Sequence, residues 1–510
     1  MSMSIWQEGF TMVAESTAGR KPRQQVQEQV DHRSLPVDTR ATSLTITLPI
    51  EDSPMRFLTC FALLLVLGGL KLTANVAAQE VAAKRPPNVV LIFIDDMGYA
   101  DIGPFGNMKL RTPHLDKFAK EGMKFTSFYA TPVCSMSRAC LMTGCYNVRV
   151  SVPGVLFPDS KVGLNPDETT LAEIAKQKGY ATAAIGKWHL GFQPEFLPTS
   201  QGFDSYFGIP YSNDMGKKPA RPNFPPLPLM RDKKIVEEEP DQSQLTKRYT
   251  EEAVRFIREQ KDKPFFLYLP HSMIHFPLFA SADFKGKSNG GLIGDTIEEI
   301  DWSVGQIMQT LTELKLDDNT LVIFTSDNGP AQRKAEPFRG NKGTSFEGGV
   351  REPCLMRWPG KVPAGTSCEK ISGNIDVLPT LAKIIGAELP KDRVLDGRDI
   401  SSLMFDPKAK AVRETHLYFN GASQLVAIRT GDWKLFLGVA PMVAAKNPNK
   451  KKLAEAVGPA LYNLALDVGE ANNVAADHPE IVERLKESAA KHLAEIKQNQ
   501  RPAGQATGSK

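Results

Sequence analysis

Charged and potentially reactive side chains follow four apolar runs of strand length in this 510-residue chain. The runs occupy residues 88–94, 180–186, 265–270 and 320–326. They are followed by Asp95 and Asp96, by Lys187 and His189, by His271 and His275, and by Asp327 and Asn328. In open α/β sheets, ligand sites lie beyond the carboxyl ends of the strands. These side chains are therefore candidates for one shared site.

The acidic motifs Asp95-Asp96 and Asp327-Asn328 offer only oxygen ligands, which suits Ca²⁺ or Mg²⁺ rather than Zn²⁺. Either motif alone is also typical of a turn or a helix cap. The pair favours a metal site more strongly, because two acidic clusters at one sheet edge repel each other unless a cation or a lysine lies between them.

The motif IGKWHLG places Lys187 and His189 two positions apart. On a strand this spacing points both side chains the same way and turns Trp188 into the packing. A histidine beside a lysine is normally neutral, and a neutral imidazole can act as a general base. The alternative is a histidine that only caps the strand. His271 and His275 are further candidates, and either could be a structural loop residue.

Cys134 and Arg138 lie four positions apart in the segment TPVCSMSRACLMTGC. This spacing predicts a helix that begins near Cys134 and directs its N-terminal N–H groups at the site. A cysteine at such a position, near an arginine, is expected to have a lowered thiol pKa and to be reactive. The alternative is a buried cysteine with the arginine paired elsewhere.

Lys342 lies in a glycine-rich segment, FRGNKGTSFEGGVREP. A flexible backbone that carries one lysine could hold an oxyanion. The glycine spacing matches no phosphate-binding loop, so this segment alone indicates little.

The elements that must position these residues are buried strands alternating with amphipathic helices from Asn88 to Lys315. This alternation predicts an α/β fold with a large, mostly parallel or mixed sheet, flanked by helices on both faces. Near residue 406 the pattern changes to a hairpin and a closing helix. We expect a main domain at 86–405, a smaller C-terminal α+β subdomain at 406–500 with an antiparallel sheet and a C-terminal helix, and a disordered tail at 501–510.

The segment Asn213–Gln244 is rich in proline and charge, which predicts a long surface insertion. Two interpretations stay open for it. The insertion rims a pocket, or it has no role in the site.

The apolar stretch Phe57–Leu70 follows Met55-Arg56 and precedes small residues, which is typical of a secretory signal peptide. It is too short to span a bilayer. We expect translation to start at Met55, a signal peptide at 55–78, and residues 1–54 to be a disordered or mis-annotated extension. The alternative is a cytoplasmic arm with an uncleaved anchor. The exported protein would be periplasmic or secreted, with no stable membrane insertion after cleavage.

The exported chain keeps five cysteines, an odd number that leaves at least one thiol outside any set of disulfides: Cys134, Cys140, Cys145, Cys354 and Cys368. The pairing of the last four stays open. The formal net charge of +4 is too small to indicate a nucleic-acid partner.

Six motifs in this order resemble those of the formylglycine-dependent type I sulfatases of the alkaline-phosphatase superfamily: FIDDMGYADIGPFG, TPVCSMSRACLMTG, AIGKWHLG, HSMIHFP, TSDNG and RGNKGTSFEGGVREP. The similarity runs from Asn88 to about Gln498. It implies an arylsulfatase-like enzyme, a sulfuric ester hydrolase.

The resemblance implies that a formylglycine-generating maturase oxidises Cys134 to formylglycine, whose hydrate supplies the nucleophile. One hydroxyl would attack the sulfur of a sulfate monoester and expel the alcohol. The second would lose its proton to His189, which releases sulfate and restores the aldehyde. Arg138 and Lys187 would hold this nucleophile.

By the same resemblance one divalent cation, expected to be Ca²⁺ ahead of Mg²⁺, binds four side chains and residue 134: Asp95, Asp96, Asp327, Asn328 and the modified Cys134. Lys187, Lys342 and His275 would contact the sulfate oxygens. His275, or alternatively His271 or a second lysine, would protonate the leaving alcohol.

The motif departs from the family at Met136, where proline or alanine is usual. A longer side chain is expected to slow conversion of the cysteine or to require a different maturase. Met136 leaves one alternative open, a non-catalytic sulfate-binding homologue with an unmodified Cys134. A second alternative is a phosphonate or phosphate ester hydrolase of the same superfamily, which would share the fold and the oxyanion chemistry. The expected substrate is a sulfated carbohydrate or a small aryl sulfate.

Overall fold

The structure, a computed structural model, describes residues 85–219, 221–440 and 458–507. The predicted N-terminal extension (1–54) and signal peptide (55–78) lie outside the described residues. Within the described ranges, no helix combines the length and the apolar character that crossing a bilayer requires.

The strands, in chain order, are β1 (Asn88–Ile94), β2 (Met123–Tyr129), β3 (Val162–Gly163), β4 (Ala181–Ile185), β5 (Ser205–Gly208), β6 (Pro228–Arg231), β7 (Lys234–Glu238), β8 (Phe265–Pro270), β9 (Thr320–Ser326), β10 (Arg351–Arg357), β11 (Thr366–Cys368), β12 (Ser372–Gly373), β13 (Thr415–Phe419), β14 (Leu425–Thr430), β15 (Trp433–Phe436), β16 (Ala460–Asn463) and β17 (Gly504–Gln505). The helices are α1 (Pro113–Glu121), α2 (Cys134–Thr143), α3 (Leu171–Lys176), α4 (Leu245–Glu259), α5 (Gly291–Glu313), α6 (Glu347–Val350), α7 (Val377–Ile385), α8 (Ser401–Phe405) and α9 (Pro479–Gln498).

Eleven strands form one large sheet in the order β11-β2-β10-β9-β1-β8-β4-β5-β6-β7, with β12 also paired to β2. The neighbours β9, β1, β8, β4 and β5 run parallel. Strand β10 is antiparallel to both β9 and β2, so β2 points the same way as the five parallel strands. The carboxyl ends of all six strands therefore lie along one edge of a mixed sheet, which confirms the predicted fold class.

Both faces of the sheet are buried, because alternate residues of β1 belong to two different cores. Val90 and Ile92 pack in the core that includes residues of α1, α4 and α5. Val89 and Leu91 pack in the core that includes residues of α2, α3, α7 and α8. This explains why β1 is apolar at every position rather than at every second one.

A separate antiparallel sheet consists of β13, β14, β15 and β16. Gly431 lies in the turn between β14 and β15 at φ 58°, a backbone conformation that favours glycine. Leu485 of α9 packs in one core with Ile428 of β14. The predicted C-terminal sheet and helix are confirmed, and the boundary near residue 406 stays a prediction.

The expectation of a disordered tail is wrong for residues 501–507. Strand β17 pairs with β3, and Arg501 donates a hydrogen bond of 2.7 Å to Glu168. Local composition could not reveal this, because both partners lie more than 300 positions earlier in the chain.

Strands β6 and β7 of the insertion Asn213–Gln244 form a hairpin that extends the large sheet beyond β5. Ile235 and Val236 of β7 are half exposed at this sheet edge. The insertion is thus partly regular structure.

All five described cysteines are buried and free. Cys354 of β10 and Cys368 of β11 are both in register with Phe125, so β2 lies between them. Among the described residues, therefore, no disulfide joins them.

A buried ionic cluster connects the small sheet to the large one. Lys434 of β15 has no exposed side-chain surface and contacts Glu347 at 2.9 Å and Glu470 at 2.8 Å. Lys434 also donates to the Ser345 carbonyl at 2.9 Å, and Glu347 accepts a 2.6 Å hydrogen bond from Tyr129 of β2. The two carboxylates are compatible with burial because a cation lies between them.

Replacing Lys434→Met should destabilise the protein by about 3–5 kcal/mol, since it leaves two buried carboxylates without their shared cation. Urea unfolding, followed by tryptophan fluorescence, measures the change. Lys391→Met is the matched control: Lys391 pairs with Glu388 but is 84% exposed, so its loss should cost under about 0.5 kcal/mol. Equal, small effects of the two substitutions would contradict the role given to the buried cluster.

Candidate active site

The carboxyl ends of the parallel strands bring the predicted site residues together. The contacts described below join side chains that follow β1, β2, β4, β5, β8 and β9 with the Lys342 loop that precedes β10. The site is therefore an assembly of strand ends, as expected for an open α/β sheet.

Asp95, Asp96, Asp327 and Asn328 form one buried group. The Asp96 N–H donates to the Asp327 carboxylate at 3.1 Å, and the Asn328 amide donates to the Asp96 carboxylate at 2.7 Å. Asp96 adopts a left-handed backbone conformation with φ 64°, which is uncommon for a residue other than glycine. Such conformations often occur at functional sites.

The residues of this group fit a hard divalent cation. Asp96 Oδ2 and Asn328 Oδ1 are buried and have no hydrogen-bond partner among the described residues. Ligand atoms of Asp95, Asp96, Cys134 and His275 all lie within 4.8 Å of one another. Buried oxygens without partners are costly unless a ligand takes them, and a cation bound by oxygens would do so.

Lysines also lie among these carboxylates, which is the second arrangement that the sequence left open. Lys187 forms an ion pair with Asp95, and Lys342 forms one with Asp96. Burial by itself would raise the pKa of Asp95, but Lys187 and its neighbouring cations outweigh burial and hold this pKa well below 3.8. Burial, together with the charge of Asp95, raises the pKa of Asp327 to about 7.

Cys134 is the first residue of α2, as the sequence predicted. Its sulfur lies 3.3 Å from Lys342 Nζ and 3.5 Å from the Asp95 carboxylate. The expectation of a lowered thiol pKa is wrong. Burial raises the pKa of Cys134 to about 12, and the opposing effect of Lys187 and Lys342 is smaller. Cys134 is therefore a protonated thiol at neutral pH.

Arg138 lies one turn further along α2 and is completely buried. It contacts Asp327 at 2.8 Å and donates to the Lys187 carbonyl at 2.7 Å. Its guanidinium also lies over the ring of Phe93, 5.4 Å from the ring centroid. Arg138 thus joins the residues that follow β9 and β4, one helical turn from Cys134.

Lys187 and His189 both reach the site, but not for the reason that strand alternation suggested. Strand β4 ends at Ile185, and His189 has φ 65°, so neither residue lies on the strand. His189 Nε2 hydrogen-bonds the Leu156 carbonyl at 2.9 Å, which leaves Nδ1 as the acceptor. Nδ1 is buried and has no partner among the described residues. Burial and the charge of Lys187 lower the pKa of His189 well below 6.5, so this imidazole is neutral.

The two histidines after β8 lie in different environments. His275 Nε2 faces the site, 3.9 Å from the Asp96 carboxylate, and its side chain is 14% exposed. His271 is fully buried and contacts Ser303 at 3.1 Å. Burial lowers the pKa of His271 to about 3. His271 is therefore the structural residue of the pair, and the alternative that it protonates the leaving group is not supported by its position.

The loop that carries Lys342 is shaped by close backbone approaches. A Cβ on Gly349 would lie 2.1 Å from the Thr344 carbonyl oxygen, so a larger residue there would displace the loop. The Lys342 N–H donates to the Pro330 carbonyl at 3.2 Å. Lys342 is the most exposed of the side-chain cations at the site, with 16% exposure.

Sequence reasoning missed Ser212 and Asn213, which follow β5. The Ser212 hydroxyl lies 3.2 Å from Lys187 Nζ and 3.3 Å from His275 Nε2. Asn213 Oδ1 lies 2.9 Å from His275 Nδ1. Strand β5 has only four residues and is followed by Ile-Pro, so it lacks the long apolar run that marked the other strands. The polar pair Ser212-Asn213 a few residues after β5 was the only signal in the sequence for this part of the site.

The sequence profile of the family described as sulfatase matches residues 87–387, and that of the C-terminal region of aryl-sulfatase matches residues 412–508. Human arylsulfatase A is 38% identical over 450 residues, which cover 80% of this chain and 88% of that protein. N-acetylgalactosamine-6-sulfatase of the dog is 38% identical over 415 residues, covering 75% of this chain and 76% of that protein.

Solved structures agree with these matches. The PsFucS1 sulfatase from Pseudoalteromonas sp. superposes with a TM-score of 0.75 at 28% identity, covering 85% of this chain and 95% of that chain. A Bacteroides thetaiotaomicron 6S-sulfatase, solved in work on glycosaminoglycan metabolism, gives a TM-score of 0.70 at 31% identity, covering 80% and 99%. The chain therefore belongs to the sulfatase family and is a sulfuric ester hydrolase.

Proposed function

We propose that the protein hydrolyses a sulfate monoester to an alcohol and inorganic sulfate, with a nucleophile made from Cys134 and with a bound divalent cation. The observation that carries the proposal is the place of Cys134. Cys134 is the first residue of α2, and its sulfur contacts both Lys342 and Asp95. This position lies at the sheet edge where the oxygen ligands and the side-chain cations meet. A thiol whose pKa burial raises to about 12 is a poor nucleophile, which favours conversion to formylglycine.

Hydrated formylglycine at position 134 supplies two geminal hydroxyls, one to attack sulfur and one whose deprotonation releases sulfate. Lys187, Lys342 and His275 surround this position and contact the sulfate oxygens, which carry the negative charge of the transition state. Arg138 supports the same position through Asp327 and the Lys187 carbonyl.

His189 acts as the base and His275 as the acid. The neutral ring of His189 has its Nδ1 available, because Nε2 is bound to the Leu156 carbonyl. Nδ1 is the atom that takes the proton of the second hydroxyl. His275 is partly exposed at the mouth of the site, where the leaving alcohol departs.

Asp95, Asp96, Asp327 and Asn328 would hold the cation, together with the modified residue 134. An all-oxygen set of three carboxylates and an amide suits Ca²⁺ better than Zn²⁺, and larger, less regular sites favour Ca²⁺ over Mg²⁺. When bound, this cation supplies positive charge beside the nucleophile and the sulfate oxygens.

The substrate is a sulfated carbohydrate or an aryl sulfate, presented to the protein after export to the periplasm or the medium. Relatives named N-acetylgalactosamine-6-sulfatase and arylsulfatase A support these two chemical classes. A formylglycine-generating maturase is the second partner. N-terminal sequencing of the intact exported protein tests the signal-peptide assignment, since a mature start before Met55 would contradict it.

Two alternatives from the sequence are less well supported. A phosphonate monoester hydrolase shares the fold at 21% identity and a TM-score of 0.57, but that likeness concerns the fold alone. A non-catalytic binding protein would need an unmodified Cys134. Side-by-side rates on 4-nitrophenyl sulfate and 4-nitrophenyl phosphate separate sulfatase from phosphatase activity, because the leaving group is the same.

Protein co-produced with a formylglycine-generating enzyme should yield a modified tryptic peptide 125–138. Its mass is expected to be about 18 Da below that of the cysteine form, since the conversion of CH₂–SH to CH=O removes sulfur and two hydrogens and adds one oxygen. Mass spectrometry of the peptide measures the conversion, and hydrolysis of 4-nitrophenyl sulfate should rise in proportion to the converted fraction.

The control for this experiment is Cys134→Ala in the same co-production, which should reduce hydrolysis to background. Unmodified thiol after co-production with several maturases would indicate that Met136 blocks conversion, and the binding-protein alternative would then be preferred. Unchanged hydrolysis by Cys134→Ala would refute the proposal that the nucleophile is made from Cys134.

Chelation with EDTA should lower the melting temperature by about 5 °C, because the buried oxygens of Asp96 and Asn328 lose their ligand. Hydrolysis should fall with it, and Ca²⁺ should restore both better than Mg²⁺ at equal free concentration. Differential scanning fluorimetry measures the melting temperature.

Two variants calibrate the chelation experiment. Asn328→Leu should make the melting temperature insensitive to EDTA, whereas Asn223→Leu, an exposed residue of the insertion, should respond as the wild type does. A wild-type melting temperature that EDTA leaves unchanged would argue against a cation at these residues.

A further inference from the structure

Asn213 lies at the junction between β5 and the surface insertion, and its side chain is buried against His275. Only 1% of Asn213 is exposed. Its Oδ1 lies 2.9 Å from His275 Nδ1, closer than any other hydrogen-bonding atom that the structure places beside this ring. The contact is therefore the dominant hydrogen bond of the His275 side chain.

The orientation of the Asn213 amide is determined by a backbone carbonyl. Asn213 Nδ2 lies 3.0 Å from the Pro277 carbonyl oxygen, which can only accept a hydrogen bond. The amide NH₂ must face Pro277, so Oδ1 must face the histidine. An amide oxygen accepts only, and His275 Nδ1 must therefore carry a proton in order to donate to it.

A second amide holds Asn213 in place. Asn213 Nδ2 donates to Gln242 Oε1 at 3.0 Å, and Gln242 Nε2 donates back to the Asn213 carbonyl at 3.1 Å. These residues stand near the two ends of the insertion Asn213–Gln244, so their reciprocal pair closes its base. The base of the insertion is thus hydrogen-bonded to the ring of His275 through Asn213.

With Nδ1 committed to Asn213, only Nε2 of His275 can exchange a proton with the site. The Ser212 hydroxyl lies 3.4 Å from Nδ1 and 3.3 Å from Nε2, so it does not distinguish the two nitrogens. Nε2 faces the Asp96 carboxylate, 3.9 Å away. It therefore points toward the position of the substrate, whereas Nδ1 points toward the insertion. A ring free to turn about its bonds would divide its time between productive and unproductive orientations.

We propose that Asn213, held by Gln242, is a positioning residue that fixes the ring of His275 with a proton on Nδ1. The doubly protonated ring then delivers its second proton from Nε2 to the leaving oxygen, and it is left as the neutral Nδ1–H tautomer that Asn213 binds. The proposal rests on the proposed function, in which His275 is the acid. It also gives the insertion a role: its base orients the acid. The interpretation in which the insertion has no part in the site is then excluded.

The proposal predicts a dependence on the leaving group. An alkoxide leaves only when it is protonated, whereas 4-nitrophenolate is stable enough to leave without a proton, so acid catalysis matters chiefly for alkyl and carbohydrate esters. Asn213→Leu keeps the branched shape of the side chain but removes its acceptor to His275 and its donors to Pro277 and Gln242. It should lower kcat by about 10–100-fold on an alkyl or carbohydrate sulfate and by less than about threefold on 4-nitrophenyl sulfate.

The experiment uses the matured full chain and compares kcat on the two ester types for the wild type, Asn213→Leu, Gln242→Leu and Asn223→Leu. Gln242→Leu should show the same selective loss, about threefold on alkyl esters, since it loosens Asn213 without removing it. Asn223→Leu makes the same substitution at an exposed position of the same insertion and should change neither rate. Melting temperatures verify that each variant is folded.

A double-mutant cycle separates positioning from a general structural effect. On a His275→Ala background, Asn213→Leu should cause no further loss, because the group that it positions is absent. A loss that is equal for both ester types, a further loss on the His275→Ala background, or unchanged alkyl-ester rates in Asn213→Leu would overturn the proposal. If Asn213→Leu does not fold, Gln242→Leu decides by the same criteria. A matured wild type that hydrolyses neither ester would instead refute the proposed function.

Discussion

The site depends on the burial of opposite charges in one group at the carboxyl edge of the sheet. Asp95 pairs with Lys187, Asp96 with Lys342, and Asp327 with Arg138. Each buried carboxylate would be strongly destabilising without its partner, because charges lose their hydration when they are buried. Since the six residues come from five separate segments of the chain, the strand ends and the glycine-rich loop must meet with little freedom. The ion pairs therefore stabilise the arrangement of the strand ends, and this arrangement in turn keeps the buried charges paired.

Burial also determines the protonation states of Cys134 and His189. It raises the pKa of the Cys134 thiol to about 12 and, with Lys187, lowers that of His189 well below 6.5. The site thus contains a thiol that is not a thiolate and a histidine that is neutral. A free-cysteine nucleophile would need the reverse arrangement, with the thiol ionised beside a charged imidazole. The environment is suited to a hydroxyl nucleophile and a neutral base.

Support for the site extends into the C-terminal subdomain. Met136, two residues after Cys134, is fully buried in one core with Leu417 and Ile428 of the small sheet. Lys434 of that sheet holds Glu347 and the Ser345 carbonyl, only a few residues after Lys342. The methionine that departs from the family motif therefore has a packing role in the folded protein, and the small sheet contributes to holding both the helix of Cys134 and the loop of Lys342.

The sequence alone predicted the α/β class, the sheet strands β1, β4, β8 and β9, the hairpin of β14 and β15, and the strand-terminal residues around which the site forms. Strong apolar runs that end in polar residues carry that information locally, because a buried strand must be apolar and its end must not be. The tertiary structure decided what depends on distant partners: that His271 is structural while His275 faces the site, that Ser212 and Asn213 belong to the site, and that residues 501–507 are ordered. It also decided the pKa of Cys134, since burial and surrounding charges, rather than the neighbouring arginine and the helix terminus, determine the ionisation of a thiol. Hydrogen bonding, burial and charge balance are properties of the assembled fold, and adjacency along the chain cannot reveal them.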